Sequence, residues 1–226
     1  MQIIKLEDVC KHYGNYIALQ DISFSIADEQ ITVLMGPNGA GKSTLAKIIL
    51  NLEKATSGQI VRANGLKYGY IPQKVSINNR VPITAGYLMD IISGGGYIRE
   101  FDEFSDIENL KNKSIDELSG GQFQKVLLSS TLIHKPNVLI LDEPITGLDI
   151  ESQEMFYSII QKVRYNMKIS IIIISHDLSS ILESADQVIC IDKTLQCSHS
   201  YINIHNKAKY KYHLKPYSHE HRNYNT

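Results

Sequence analysis

The chain has 226 residues, 43% hydrophobic and 21% charged, with a formal net charge of −1. That length holds one well-buried core with room for a subdomain but not two full domains, and the near-neutral charge leaves no electrostatic footprint for nucleic acid as a partner. Its most apolar run is far too short to span a bilayer, the first residues lack a secretion signal, and three scattered cysteines without metal-ligand spacing, Cys10, Cys190 and Cys197, read as reduced thiols.

In chain order, residues 2–10 alternate as a strand, 11–19 form a turn, and 22–26 give a second apolar stretch. Tyr13, just before Gly14, is either a packed turn aromatic or a platform on which a purine ring stacks. After a turn at Asp28-Glu29, the apolar run 31–35 leads directly into Gly36-Pro37-Asn38-Gly39-Ala40-Gly41-Lys42-Ser43-Thr44, and helix-forming residues 45–50 follow. Strand, glycine-rich turn and helix start make a phosphate loop. Its glycines let backbone amides turn inward around β- and γ-phosphates, and the helix presents its positive end to the same anion. Lys42 is placed to reach the phosphate oxygens and the Ser43 hydroxyl to ligate Mg²⁺, so a nucleoside triphosphate is the expected ligand.

Beyond the loop, 59–62 and 68–71 read as strands separated by an Asn64-Gly65 turn, the second ending at Pro72-Gln73. Residues 76–117 lose regular apolar spacing, carry Gly94-Gly95-Gly96 and become strongly charged from Arg99 to Lys113, which predicts a small, mostly helical insertion. It closes on Leu118-Ser119-Gly120-Gly121-Gln122, ahead of a helical pattern with Phe123, Val126, Leu127 and Leu132 on one side. Ser119 and Gln122 fit a capping box; the same residues, with two glycine amides at a helix N-terminus, also fit a second anion site. Residues 138–141 have the pattern of a buried parallel strand and run into Asp142-Glu143. Two carboxylates at the end of a buried strand are costly unless used; beside a nucleotide, Asp142 would support the metal and Glu143 polarise the attacking water. A loop at 144–149, a helix at 151–166, a buried strand at 171–174 ending in Ser175-His176-Asp177, a helix at 178–185 and a strand at 187–192 complete the series.

These pieces together resemble the nucleotide-binding subunit of ATP-binding-cassette (ABC) transporters over roughly residues 2–195. Tyr13 falls at that family's adenine-stacking aromatic, Gln73 at the glutamine joining the helical subdomain, and Leu118 to Gln122 reproduce the family signature. Asp142 and Glu143 match the metal-and-water pair, Gly147-Leu148-Asp149 the dimer-contact loop and His176 the switch histidine. Ile145, Lys125 and Ser129 depart from common family residues, at positions that touch neither phosphate nor metal.

The resemblance implies an α/β fold: a phosphate-loop NTPase core with a parallel sheet, flanking helices and an N-terminal antiparallel β part, plus a helical subdomain at about 76–130. It implies ATP and Mg²⁺ as cofactors, with Ser43, Gln73 and Asp142 around the metal and Glu143 and His176 as the catalytic pair. ATP would lie between the phosphate loop of one cassette and Ser119, Gly120, Gly121 and Gln122 of a second copy. Closure of that homodimer would drive integral-membrane permease subunits, placing the chain peripherally on the cytoplasmic face of the inner membrane.

A narrower resemblance, to the ATPase subunits of bacterial zinc importers, rests on Gly69-Tyr70-Ile71-Pro72-Gln73-Lys74 with Val81-Pro82-Ile83-Thr84, and on a His/Tyr/Lys-rich tail at 196–226. It implies zinc or a related divalent metal as cargo, with a periplasmic or surface metal-binding protein in the same system; manganese, iron or a metal chelate is the alternative. In the tail, His213, His219 and His221 offer imidazoles to Zn²⁺, against the alternative of a basic segment whose composition has drifted. ABC-type ATPases of DNA or ribosomes usually carry long coiled-coil insertions or paired cassettes, which 226 residues do not hold. A GTPase reading would leave residues 118–122 idle.

Overall fold

The computed structural model describes residues 1–74, 83–94, 104, 106–176 and 185–200. Three strands, β3 (Ile31–Met35), β6 (Val138–Asp142) and β7 (Ser170–Ser175), are buried along their whole length. Unbroken apolar runs of this kind suit parallel strands covered on both faces. Alternation then divides each run between two cores. Ile31, Val33, Leu139, Leu141, Ile171 and Ile173 enter one cluster, while Leu34, Val138, Ile140, Ile172 and Ile174 enter the other.

With β5 (Tyr68–Ile71), β8 (Gln187–Asp192) and β9 (Thr194–Ser200), these strands form a six-stranded sheet in the order β5-β6-β7-β3-β8-β9. Every pairing is parallel except β8 with β9. One face is covered by α2 (Ala85–Ser93), α3 (Ile107–Leu110), α4 (Gly120–Leu132) and α5 (Ile150–Met167), through residues such as Met89, Ile107, Val126, Phe156 and Ile160. Over the other face lie α1 (Lys42–Ile49) and an antiparallel sheet of order β2-β1-β4, made of β1 (Gln2–Tyr13), β2 (Tyr16–Ala27) and β4 (Ser57–Arg62). No helix among the described residues is long and apolar enough to cross a membrane.

Several expectations need correction. The turn expected at 11–19 is instead the paired ends of β1 and β2, joined at Gly14-Asn15. Gly14 takes φ 57°, as a tight hairpin requires, and register shifts absorb the irregular alternation that hid these strand ends. A further strand, β9, lies where the sequence suggested only the start of a tail, because its polar residues occupy a sheet edge. Its pairing with β8 sets Cys197 opposite Cys190, and the two are joined as a disulfide rather than held as free thiols; Cys10 alone stays a free, buried thiol among the described residues. Without β9 in view, nothing in the spacing brings those two cysteines together. The helix expected at 178–185 falls almost entirely outside the described residues, as do parts of the insertion at 76–117.

The topology aligns the carboxyl ends of β5, β6, β7 and β3 along one edge, where open α/β sheets gather ligands. The packing of β7 makes a direct prediction. Ile172 is fully buried at the centre of the sheet; Ile172→Ala is expected to cost about 3–4 kcal/mol in urea-induced unfolding, and a loss under ~1 kcal/mol would show that the core is not packed as described.

Candidate nucleotide site

At the end of β3 the chain enters the phosphate loop, and its path leaves little choice of residue. A Cβ on Gly36 would lie 2.0 Å from the Ile191 carbonyl oxygen of β8. Gly41, the N-cap of α1, takes φ 92°, and a Cβ there would meet the Ala18 carbonyl oxygen at 2.5 Å. The loop is thus pressed between β8 and β2 and kept narrow by the absence of side chains. Its far side is fixed by the Lys193 amide, which donates to the Ala40 carbonyl at 3.0 Å.

Lys42 follows at the first position of α1, only 7% exposed. Its Nζ donates to the carbonyls of Gly36 at 2.8 Å and Pro37 at 3.0 Å and lies 3.9 Å from Glu143 Oε1. Burial pulls the Lys42 pKa down, and the charges of Glu143 and Asp142 pull it back up. Asp142 ends β6. Its pKa is raised, first by burial and also by the neighbouring Glu143, against the lowering effect of hydrogen bonds from Ser43 and Tyr70 and of the Lys42 charge. Its Oδ1 is buried and has no partner among the described residues.

Glu143 sits at φ 53°, unusual for a residue with a side chain, and is 6% exposed. Its amide donates to the Ile174 carbonyl at 2.9 Å, and its Oε2 accepts from Thr146 Oγ1 at 3.3 Å. His176, just past β7, places Nδ1 2.6 Å from the same oxygen. A carboxylate only accepts, so the His176 Nδ1 is the donor of this contact. Three strand ends therefore bring Lys42, Asp142, Glu143 and His176 to one place.

A cavity of roughly 240 Å³ opens there, lined by Asn38 to Thr44, Gln73, Asp142 and Glu143, with Tyr16 and Ala18 from β2. Tyr13, the expected stacking aromatic, lies outside this lining. Its hydroxyl is bonded to Glu53, which also pairs with Lys11 and Lys47, and Lys11 Nζ stands 4.9 Å from its ring centre. Tyr16, opposite Tyr13 in the hairpin, was not singled out by the sequence; only the two-residue turn at Gly14-Asn15 would have revealed its position.

Ser119, Gly120, Gly121 and Gln122 also stand apart from the cavity. The capping box is complete: Ser119 Oγ accepts from the Gln122 amide at 3.2 Å, and the Ser119 amide donates to Gln122 Oε1 at 3.1 Å. Ser119 and Gly120 are exposed. Leu148 packs on Gly120, where a Cβ would come within 2.5 Å of it. His213, His219 and His221 lie outside the described residues.

Comparison with known proteins bears directly on this geometry. Residues 19–146 match the family described as ABC transporter, so the match takes in the loop, the signature and the carboxylate pair. This chain belongs to the ABC transporter family. The cassette is 42% identical over 199 residues to the zinc import ATP-binding protein ZnuC of Rickettsia bellii, covering 87% of this chain and 85% of the relative. To the protein of that name from Vibrio cholerae it is 35% identical over 223 residues, 97% of this chain and 84% of the relative. Among solved structures, a nucleotide-free ATP-binding cassette from an ABC transporter superposes with a TM-score of 0.74 at 23% identity, over 88% of this chain and 92% of that one. That likeness fixes the fold as that of an ABC ATPase cassette, and family membership carries nucleotide binding with it.

The raised pKa of Asp142 has a signed consequence for stability. Because its folded pKa lies above the ordinary carboxylate value of 3.8, folding favours the protonated form, and the penalty of carrying the charge grows as pH rises through that value. Asp142→Asn should therefore melt above the wild-type chain at neutral pH in nucleotide-free, metal-free buffer. A gain of about 1 kcal/mol would appear as ~2–4 °C at this chain length, and the difference should vanish below about pH 3.8. A lower melting temperature at neutral pH would show that the Asp142 charge is compensated by its neighbours.

Proposed function

We propose that the chain is the ATP-hydrolysing subunit of a membrane importer for zinc. The observation that carries the ATPase reading is the convergence of Lys42, Asp142, Glu143 and His176 at the phosphate loop. The zinc reading draws its support from relatives named as zinc import ATP-binding proteins in Rickettsia, Buchnera and Vibrio, at 35% identity or more over most of the chain.

In this reading the inward-facing amides of residues 38–44 and the Lys42 ammonium bind the phosphates of ATP. Lys42 exchanges the Gly36 and Pro37 carbonyls for phosphate oxygens. Glu143, held by His176 and Thr146, orients and polarises the attacking water. Protein residues fit Mg²⁺ as well: the Oδ1 of Asp142, without a partner among the described residues, is a hard oxygen donor, and the Ser43 hydroxyl adjoins the same carboxyl group. When bound, the ion would neutralise charge on the phosphates, with Gln73 at the cavity wall as a further oxygen donor. Tyr13 serves as the face on which adenine stacks, held in place through Glu53.

The exposed Ser119–Gln122 end of α4 acts on a second copy of the cassette, covering the nucleotide of its partner. Its separation from this chain's own cavity lining supports that assignment, as does its exposed, positively polarised helix end. Such a dimer, on the cytoplasmic face of the inner membrane, would close around ATP and drive two permease subunits, fed by a periplasmic or surface metal-binding protein.

Two measurements test the proposal. Glu143→Gln should bind ATP but hydrolyse it at least about 100-fold more slowly, and it should elute as a dimer with ATP present; hydrolysis at the wild-type rate would remove Glu143 from its role. In cells relying on this transporter, the same substitution should abolish uptake of radiolabelled zinc. Loss of manganese or iron uptake with zinc uptake unchanged would reassign the cargo and leave the ATPase reading standing.

The composite site has its own test. Ser119→Arg and Lys42→Ala homodimers should both be inactive, whereas mixing the two chains should restore one intact site and a fraction of the hydrolysis. Failure of the mixture, with both chains still binding as dimers, would place the whole site within one chain.

A further inference from the structure

Cys190 and Cys197 lie directly opposite each other in the β8–β9 hairpin, with Cα atoms 4.8 Å apart. That spacing belongs to cross-strand pairs whose side chains approach most closely, and it lies within the range a disulfide spans without moving the backbone. Both residues are partly exposed, and among the described residues β9 is an edge strand paired with β8 alone. Cys10, by contrast, is buried, with its sulfur bonded to Asp21 and to the Asp8 carbonyl. Of the three cysteines, the hairpin pair is the more exposed among the described residues.

The hairpin also backs the phosphate loop. Cys190 stands in register with Met35, the residue before Gly36. The next residue, Ile191, presses its carbonyl against Gly36. Lys193, in the turn at φ 59°, donates its amide to Ala40, accepts from the Gln20 amide at 2.7 Å, and sets its Nζ 5.1 Å from the centre of the Tyr16 ring. A register shift lies between the disulfide and this turn, a point where the ladder itself restrains the two strands least.

We propose that Cys190 and Cys197 form a reversible thiol–disulfide exchange site for low-molecular-weight thiols, and that its oxidised state steadies the hairpin that holds the phosphate loop. In the reductive direction, a small thiolate attacks one sulfur, and the Cys190–Cys197 bond breaks with its electron pair leaving on the other sulfur, which takes up a proton. A second small thiolate then resolves the mixed disulfide, releasing the remaining protein thiol and one small-molecule disulfide. Two small thiols are oxidised as the protein disulfide is reduced. Nucleotide affinity falls on reduction because a loop that must be narrow to gather its amides around phosphate loses part of its support.

The coupling to nucleotide rests on the function proposed above; the exchange itself does not. The full chain is equilibrated at a series of reduced-to-oxidised glutathione ratios, quenched in acid, alkylated unfolded and weighed. The adduct count should switch from three in reducing buffer to one in oxidising buffer, the one being Cys10. Binding of a non-hydrolysable ATP analogue should weaken about three- to tenfold on reduction. The Cys190→Ser/Cys197→Ser chain should carry one adduct and show the weaker affinity at every ratio. An adduct count that stays constant across the ratios overturns the exchange site. A count that switches while affinity stays fixed overturns its link to the phosphate loop. Absence of analogue binding in both states would overturn that link and the nucleotide reading together, with the adduct count still deciding the exchange.

Discussion

An ammonium group and two carboxyl groups are buried together at the carboxyl edge of this sheet, and the surrounding architecture reflects the need to keep them satisfied. Lys42 is held within ion-pair distance of Glu143 and hydrogen-bonded to two loop carbonyls, while one oxygen of Asp142 has no partner among the described residues. Burying charge is unfavourable unless partners are supplied from fixed positions. The fixed positions come from the ends of fully buried strands, whose registers the two apolar cores lock. A slip of one residue in β6 or β7 would turn each side chain to the opposite core and carry Asp142 or His176 out of the site.

The same constraint explains the backbone around the cluster. Glu143 sits in a left-handed conformation that a side chain ordinarily avoids, and Gly36 and Gly41 tolerate no side chain at all. Stability has been given up locally so that donors and acceptors face one small cavity, and the isoleucine-rich strands behind it make up the difference. Preorganisation of this kind is what phosphoryl transfer asks of a protein, since little covalent chemistry falls to the side chains.

Much of this was legible in the residues. The unbroken apolar runs at 31–35, 138–141 and 171–174 disclosed the central strands, and the glycine pattern after the first located the phosphate loop, because each follows from a local rule of period or turn chemistry. Asp142 and Glu143 stood out as charges where a buried strand should end. What stayed hidden depended on pairing over distance. The paired ends of β1 and β2, the position of Tyr16 and the strand β9 rest on hairpin registers with bulges, which no window of sequence records. Cys190 and Cys197 look like separate thiols until β9 is paired with β8, which sets them opposite each other.

The short segment from Glu143 to Asp149 has a mechanical consequence. At one end Thr146 bonds the carboxylate that faces this chain's own cavity; at the other, Leu148 wedges against Gly120 and Asp149 caps α5. In the proposed head-to-tail pair, Gly120 belongs to the surface that closes over the partner's nucleotide. A change in the charge or position of Glu143 at one site would then be felt toward the second along a segment only a few residues long, with a close-packed leucine near its end. In such a pair, the loop that places one carboxylate also shapes the surface offered to the other nucleotide, so the two sites would share a single stretch of backbone.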